Sequence, residues 1–231
     1  MRGTDAGALD ALRWDLIIPV KRLERAKTRL EGLSVACRRR LALSFAVDAA
    51  TAALACARVR RVLVVTADQR AAAELSLRGA VIVEETGDAG LNSAIREAAA
   101  AVRREEPLRR VAVMTGDLPA ATSAEIDAAL ASAEPARRAV LADADSTGTV
   151  LLTANPLAGP EAPSPVRLRP RFGEGSCARH EEAGHRLLCG DHPGLRRDVD
   201  SRADLDAARR LGVGATTAAA LSEPGSVLLA G

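Results

Sequence analysis

Four short runs of Val, Ile and Leu, polar only at their ends, mark the first half of the chain: DLIIPV at 15–20, RVLVVTAD at 61–68, AVIVEE at 80–85 and RVAVMTGD at 110–117. A strand wetted on one face alternates apolar and polar residues, so unbroken runs predict strands covered on both faces. Longer segments of Ala, Leu and Arg at helical spacing lie between them, at about 35–56, 70–78, 91–106 and 123–133. The last opens on TSAE, Thr122 to Glu125, in which a hydroxyl and a carboxylate can cap each other's backbone amides. This alternation implies βαβ crossovers and a mostly parallel, mixed central sheet between two layers of helices. The expectation is an α/β fold, a single-domain, three-layer α/β/α, Rossmann-like sandwich.

Beyond Pro135 the rhythm changes. AVLADAD and TGTVLLTA read as further apolar runs, and Pro156 to Pro170 reads as a mobile excursion loop. A short helix follows at 177–183, and SRADLDAARRLG predicts another, with Ser201 as N-cap and Gly212 as the stop. Residues from about 219 read as a loose tail. The chain of 231 residues suits one core. Its expected division is an extension over 1–14, the domain over 15–214 and a tail over 215–231.

Aromatic residues make up 1% of the chain, one Trp and two Phe with no Tyr, so the core must be built from aliphatic side chains. Readers of single-stranded nucleic acid stack bases on aromatic rings, and a net charge of +2 adds no strong attraction for a polyanion, so no nucleic-acid partner is expected. No apolar segment approaches the length of a membrane span or a leader's apolar region, so no membrane partner is expected and the reading is cytoplasmic. Cys37, Cys56, Cys177 and Cys189 show no CxxC spacing and read as structural thiols.

Ligands of open α/β sheets gather beyond the carboxyl ends of the strands, so the loops there carry the candidate chemistry. PVKRLERAKTRL, after the first run, holds Lys21, Arg22, Arg25, Lys27 and Arg29, a concentration of cations suited to a polyphosphate. The same residues could form a basic amphipathic helix with Leu23, Ala26 and Leu30 as its buried stripe. Neither GxGxxG nor GxxxxGK[ST] is present. In TGDLP, Asp117 ends a very apolar strand and can reach a cation, or it makes an Asp turn. In RRDVDS an extended Val199 would send Asp198 and Asp200 out on one face, which calls for a cation between them, or for a solvated strand end balanced by Arg196 and Arg197. Asp117, Asp198 and Asp200 together could form one Mg²⁺ site. Gly173, Gly175 and Ser176 open a short helix, either as an anion seat or as an ordinary Ser cap, and His180 is given no catalytic role. Gly87, Gly90 and Asn92 lead into another helix, where the Asn amide can bond a purine or ribose, or cap the helix.

In this order, IPVKRLERAKTRL, GLNSAI, GDLPA, TGTVLLTA, RFGEGSCARH and LRRDVDSRADL resemble the CofC/FbiD family, the guanylyltransferases of deazaflavin coenzyme F(420) biosynthesis, within the GT-A-like nucleotidyltransferase superfamily. The resemblance implies that a three-carbon phospho-acid attacks the α-phosphorus of GTP and expels pyrophosphate. It implies Asp117, Asp198 and Asp200 as Mg²⁺ ligands and Lys21, Lys27 and Arg29 as holders of the triphosphate. Thr149, Gly173 and Ser176 match positions that hold the phospho-acid, and Leu91 and Asn92 fall on the nucleotide side. Phosphoenolpyruvate is the implied acid, with 2-phospho-L-lactate or 3-phosphoglycerate as alternatives, and a downstream pathway transferase is an implied partner. A related molybdopterin or sugar-phosphate nucleotidyltransferase would carry glycines in its first loop, which here has none. A non-catalytic nucleotide-binding regulator would have little use for three converging carboxylates.

Overall fold

The computed structural model describes residues 10–25, 27, 30, 32–85 and 90–223. Seven strands form one sheet: β1 (Trp14–Pro19), β2 (Val59–Thr66), β3 (Val81–Glu84), β4 (Arg110–Met114), β5 (Arg138–Ala142), β6 (Thr149–Ala154) and β7 (Arg186–Leu187), in the order β3-β2-β1-β4-β6-β5-β7. Only β6 runs antiparallel to its neighbours. The helices are α1 (Val35–Leu54), α2 (Gln69–Ser76), α3 (Leu91–Glu105), α4 (Ser123–Ala133), α5 (Ser176–Glu182), α6 (Pro193–Arg196), α7 (Arg202–Leu211) and α8 (Ala215–Ser222). Every residue of β4 and β6 is buried, as unbroken apolar runs require.

Alternate side chains of the central strands feed two aliphatic cores. Leu16, Ile18, Val62, Val64 and Met114 pack with α1, α2 and α4 on one face, whereas Ile17, Leu63, Val65, Val111 and Val113 pack with α3 on the other. A third cluster, built on Leu30, Leu41, Phe45, Val199 and Leu205, ties α1 to α7, α8 and the segment before α7. From β1 the chain moves outward to β2 and β3, then returns to place β4 on the other side of β1. The order therefore reverses between β1 and β4, and loops leaving these two strands diverge to open a crevice.

At the amino end of the sheet, Asp15 is fully buried and accepts hydrogen bonds from Arg60 Nε and Nη2 at 2.7 and 2.8 Å and from Arg61 Nε at 2.8 Å. The bonds to Asp15 raise the Arg60 pKa above its ordinary value. Arg61 also reaches Glu105, so this buried charge is closed by the protein alone.

The caps at Thr122 and Ser201 form as reciprocal boxes with Glu125 and Asp204, and α7 stops at Gly212 with φ +95°. Two expectations are corrected. Residues 156–170 are no mobile excursion: Val166 and Leu168 are buried in the second core, Arg138 Nε donates to Arg167 O, and Asn155 Nδ2 donates to Glu134 O at 2.7 Å. Proline removes amide donors without forbidding apolar side chains from packing, so a Pro-rich run can line a core as extended chain. Nor is the chain loose over 219–222. Helix α8 extends to Ser222, and its first turn is capped by the buried Asp48 of α1, which accepts from Thr216 N and Thr217 N at 3.0 and 2.7 Å.

Candidate active site

The loop after β1 is held by its neighbour strand. Asp68, at the carboxyl end of β2, caps α2 through Ala71 N and accepts Leu23 N–H with its other oxygen at 2.9 Å. Only Leu23–Arg25 form a turn of 3₁₀ helix, so the alternative of a continuous basic helix does not hold among the described residues. Buried Leu23 and Leu30 anchor the loop, and between them Lys27 takes φ +56°, a region costly for a side chain with a Cβ. That twist brings Lys27 Nζ to 2.7 Å from Asp117 Oδ2 and 2.8 Å from Asp200 Oδ1. Lys21, Lys27, Leu91, Gly116, Asp117 and Asp200 line a cleft of about 210 Å³. A Cβ at Gly116 would stand 3.3 Å from Pro19 O, so glycine permits the close approach of the two strand ends.

Val199 N–H donates to Asp117 O at 3.1 Å and its side chain is buried, which turns Asp198 and Asp200 away from the core beside the end of β4. The two carboxylates thus flank a buried Val199, and the two preceding arginines make other bonds, Arg196 with Asp143 O and Arg197 with Asp204. Burial would raise the Asp117 pKa, but the charge and hydrogen bond of Lys27 outweigh it and hold the carboxyl below its usual range. Burial likewise opposes the charge on Lys27, and Asp117 and Asp200 outweigh that loss to raise its pKa. Asp198 has no such partner. Burial first, then the neighbouring charges of Asp117, Asp143 and Asp200, push its pKa up to about 7.

Among the described residues no three carboxylates stand close enough to form a ready cation cage, because the Lys27 ammonium occupies the place between Asp117 and Asp200. Two features nevertheless suit a divalent cation. Asp117 Oδ1 is buried without a hydrogen-bond partner, and Asp198 is held among like charges.

Across β4 lies a neutral counterpart. Thr115 N–H donates to Val150 O at 3.0 Å, and the antiparallel register then sets Thr149 beside Gly116, next to Asp117. Gly175, at φ +62°, is the N-cap of α5, so Ser176 is not the cap. The Ser176 hydroxyl instead donates to Thr149 Oγ1 at 3.1 Å, and both side chains are buried. His180 Nδ1 lies 2.9 Å from the same oxygen. Gly173 adopts φ +130° in the preceding turn. Asn92, the second residue of α3, is not a cap either: Gly90 is. Its amide accepts Phe172 N–H at 2.8 Å and donates to Phe172 O at 3.0 Å, splinting the FGEGS turn to α3. Half of its bonding capacity remains for a ligand.

The structure thus brings Lys27, Asp117, Asp198 and Asp200 together, with Lys21 and Leu91 on the cleft wall and Thr149, Gly173 and Ser176 on the far side of β4. Arg29 and Gly87 lie outside the described residues. Sequence reasoning gave no role to Asp143 or His180. Asp143 ends the AVLAD run at the same edge of the sheet, where its carboxylate accepts Thr147 N–H and Gly148 N–H. That strand-end position is the signal that could have found it.

A family model described as guanylyl transferase CofC like matches residues 14–183. A phosphoenolpyruvate guanylyltransferase from Salinispora arenicola is 47% identical over 208 residues, covering 89% of this chain and 92% of its own. One from Thermomonospora curvata is 45% identical over 209 residues, covering 90% and 88%. Among solved structures, a Desulfovibrio desulfuricans protein described as a nucleotide-diphospho-sugar transferase superposes with TM-score 0.66 at 16% identity, over 93% of this chain and 96% of that one. A nucleotidyl transferase from Methanothermobacter superposes with TM-score 0.51 at 18% identity, over 86% and 97%. At such identities the superpositions speak to the fold alone, a layered α/β sandwich. The sequence match goes further, and this chain belongs to the CofC-like guanylyl transferase family.

Proposed function

We propose that the protein is a Mg²⁺-dependent guanylyltransferase that joins the GMP moiety of GTP to the phosphate of phosphoenolpyruvate and releases pyrophosphate in the cytoplasm. The observation that carries this reading is the position of Asp117. It stands at the end of β4 between a lysine-lined cleft on the β1 side and a neutral hydroxyl pair on the β6 side. Such an order sets two anions on opposite sides of one carboxylate group. The names of the relatives from Salinispora and Thermomonospora support the choice of acid.

In this arrangement Lys21 and Lys27 hold the triphosphate and offset its charge, with Leu91 and Asn92 on the nucleotide side. Thr149, Gly173 and Ser176 seat the acid. An oxygen of the acid's phosphate attacks the α-phosphorus, a new P–O bond forms, and the bond to the β-phosphate oxygen breaks with the pair leaving on pyrophosphate. Because a phosphate monoester is already ionised near neutral pH, no general base is required. Asp117, Asp198 and Asp200 would hold Mg²⁺, which when bound neutralises the repulsion between the two reactants. Lys27 serves twice, bridging Asp117 and Asp200 before the nucleotide arrives and turning its ammonium to phosphate afterwards. The residues mainly position and screen. The product, a labile mixed diphosphate, is handed to a downstream transferase.

The test is pyrophosphate release from GTP and Mg²⁺ with phosphoenolpyruvate, 2-phospho-L-lactate or 3-phosphoglycerate, with ATP and CTP as controls and the downstream transferase with its acceptor in a parallel reaction. Release with GTP and phosphoenolpyruvate is expected. Release only with another acid would correct the substrate, and GTP binding without release under any pairing would overturn the catalytic reading.

A further inference from the structure

Fully buried His180 makes a hydrogen bond through each ring nitrogen, and its two partners differ in kind. Arg171 N–H, which can only donate, lies 2.8 Å from Nε2. Nε2 is therefore an acceptor, and the proton of the neutral ring sits on Nδ1. Nδ1–H in turn donates to Thr149 Oγ1 at 2.9 Å. The Ser176 hydroxyl donates to that same oxygen. With Nδ1–H donating to Oγ1, neither hydroxyl proton is spent on the ring: the Thr149–Ser176 pair uses one proton between them and has one left for a ligand.

We propose that His180 is a positioning residue for the reaction: by fixing Nδ1–H on Thr149, it keeps a proton of the Thr149–Ser176 hydroxyl pair for an anionic oxygen of the phospho-acid. The inference rests on the reading of Thr149 and Ser176 as the acid's seat. A hydroxyl free to rotate presents either a proton or a lone pair, and a lone pair repels an anion. Locking the donor form removes the wrong orientation before the acid arrives, which is the sense of preorganisation. The surroundings keep the ring in the required state. Burial first, then His185, Arg179 and Arg171, lower the His180 pKa to about 4, so the ring is neutral at physiological pH. Phe172 packs edge-on against the ring at 5.1 Å between centroids.

The experiment compares His180→Leu, His180→Asn, His180→Gln, Thr149→Val and the Thr149→Val/His180→Leu pair, reading the KM for phosphoenolpyruvate, the KM for GTP and Tm. An Asn amide can stand where Nδ1–H stood, whereas a Gln amide reaches the Nε2 position. Losing one neutral donor is expected to raise the acid KM about tenfold in His180→Leu, with the GTP KM within about twofold. His180→Asn should recover most of that loss and His180→Gln little. In the Thr149→Val background, where the oxygen is gone, His180→Leu should add less than about twofold. Equal rises in both KM values, an Asn variant no better than Gln, or full multiplication of the two losses would reduce His180 to a packing residue and overturn the inference. The Asn and Gln comparison decides the matter even if His180→Leu fails to fold. Should Thr149→Val itself leave the acid KM unchanged, the seat is misassigned. A large effect of Thr149→Val with silent His180 variants would overturn the positioning role alone.

Discussion

Both ends of the sheet hold carboxylates, buried at the amino end and half-buried at the carboxyl end, and they treat them in opposite ways. At the amino end, Asp15 receives three hydrogen bonds from two arginines and nothing about it is unfinished. At the carboxyl end, Asp117 has one lysine and an unpartnered oxygen, and at Asp198 burial and the charges of Asp117, Asp143 and Asp200 outweigh the more weakly acting Lys27. The same fold could have placed an arginine at either end. A carboxylate satisfied by the protein holds the protein together, and one left short of positive charge is available to a ligand.

Asp117→Asn should be the most damaging change to turnover. It keeps the shape but removes the charge between the two reactants, and a loss on the order of 10³-fold in kcat is expected from steady-state rates, with a small change in Tm. Asp15→Asn should do the reverse: breaking a buried ion pair costs about 3–5 kcal/mol, read by urea denaturation, while the KM for each substrate stays put. If Asp15→Asn impaired catalysis and left stability intact, the contrast between the ends would collapse.

Asp198 sharpens the comparison through pH. Its folded pKa of about 7 lies above the ordinary carboxylate value near 4, so in that window the folded protein holds a proton that the unfolded chain has released. Stability of the metal-free protein should therefore fall as pH rises from about 4 to about 7, and Asp198→Asn should flatten the slope and add stability at pH 7.5 on the order of a few kcal/mol. Thermal denaturation across pH, with chelator present, checks this, and an unchanged slope would show that Asp198 is not strained. The smallest effect belongs to Asn92→Ala, which removes the splint to Phe172. A loss of about 1–2 kcal/mol is expected, together with a raised KM for both the acid and GTP, read by denaturation and initial rates.

Much of this arrangement was legible in the residues. The β1, β2 and β4 runs announced strands covered on both faces, and TSAE and SRAD announced caps that form as written. The DVD spacing was readable because alternation along an extended chain is a local property. What was not legible depends on partners distant in sequence. Nothing in RFGEGSCARH says that Asn92, 80 positions away, will clamp its Phe172, or that Thr149 will take the hydroxyl of Ser176 and thereby move the cap to Gly175. The Pro-rich stretch misled for a related reason. Composition reports what a segment cannot donate to a sheet, and Val166 and Leu168 show what it can still bury.

Trp14, fully buried at the start of β1 beneath the Arg110 guanidinium, is the chain's only tryptophan. The lysine-lined cleft opens past Pro19, at the other end of that strand, five residues further on, or about 17 Å along an extended chain. The protein's intrinsic fluorescence is accordingly a one-site signal of the amino-end core: it will follow global unfolding and stay nearly blind to substrate. A new indole at Leu91, with Trp14 replaced by Phe, would turn the cleft itself into the emitter and let nucleotide binding be watched in real time.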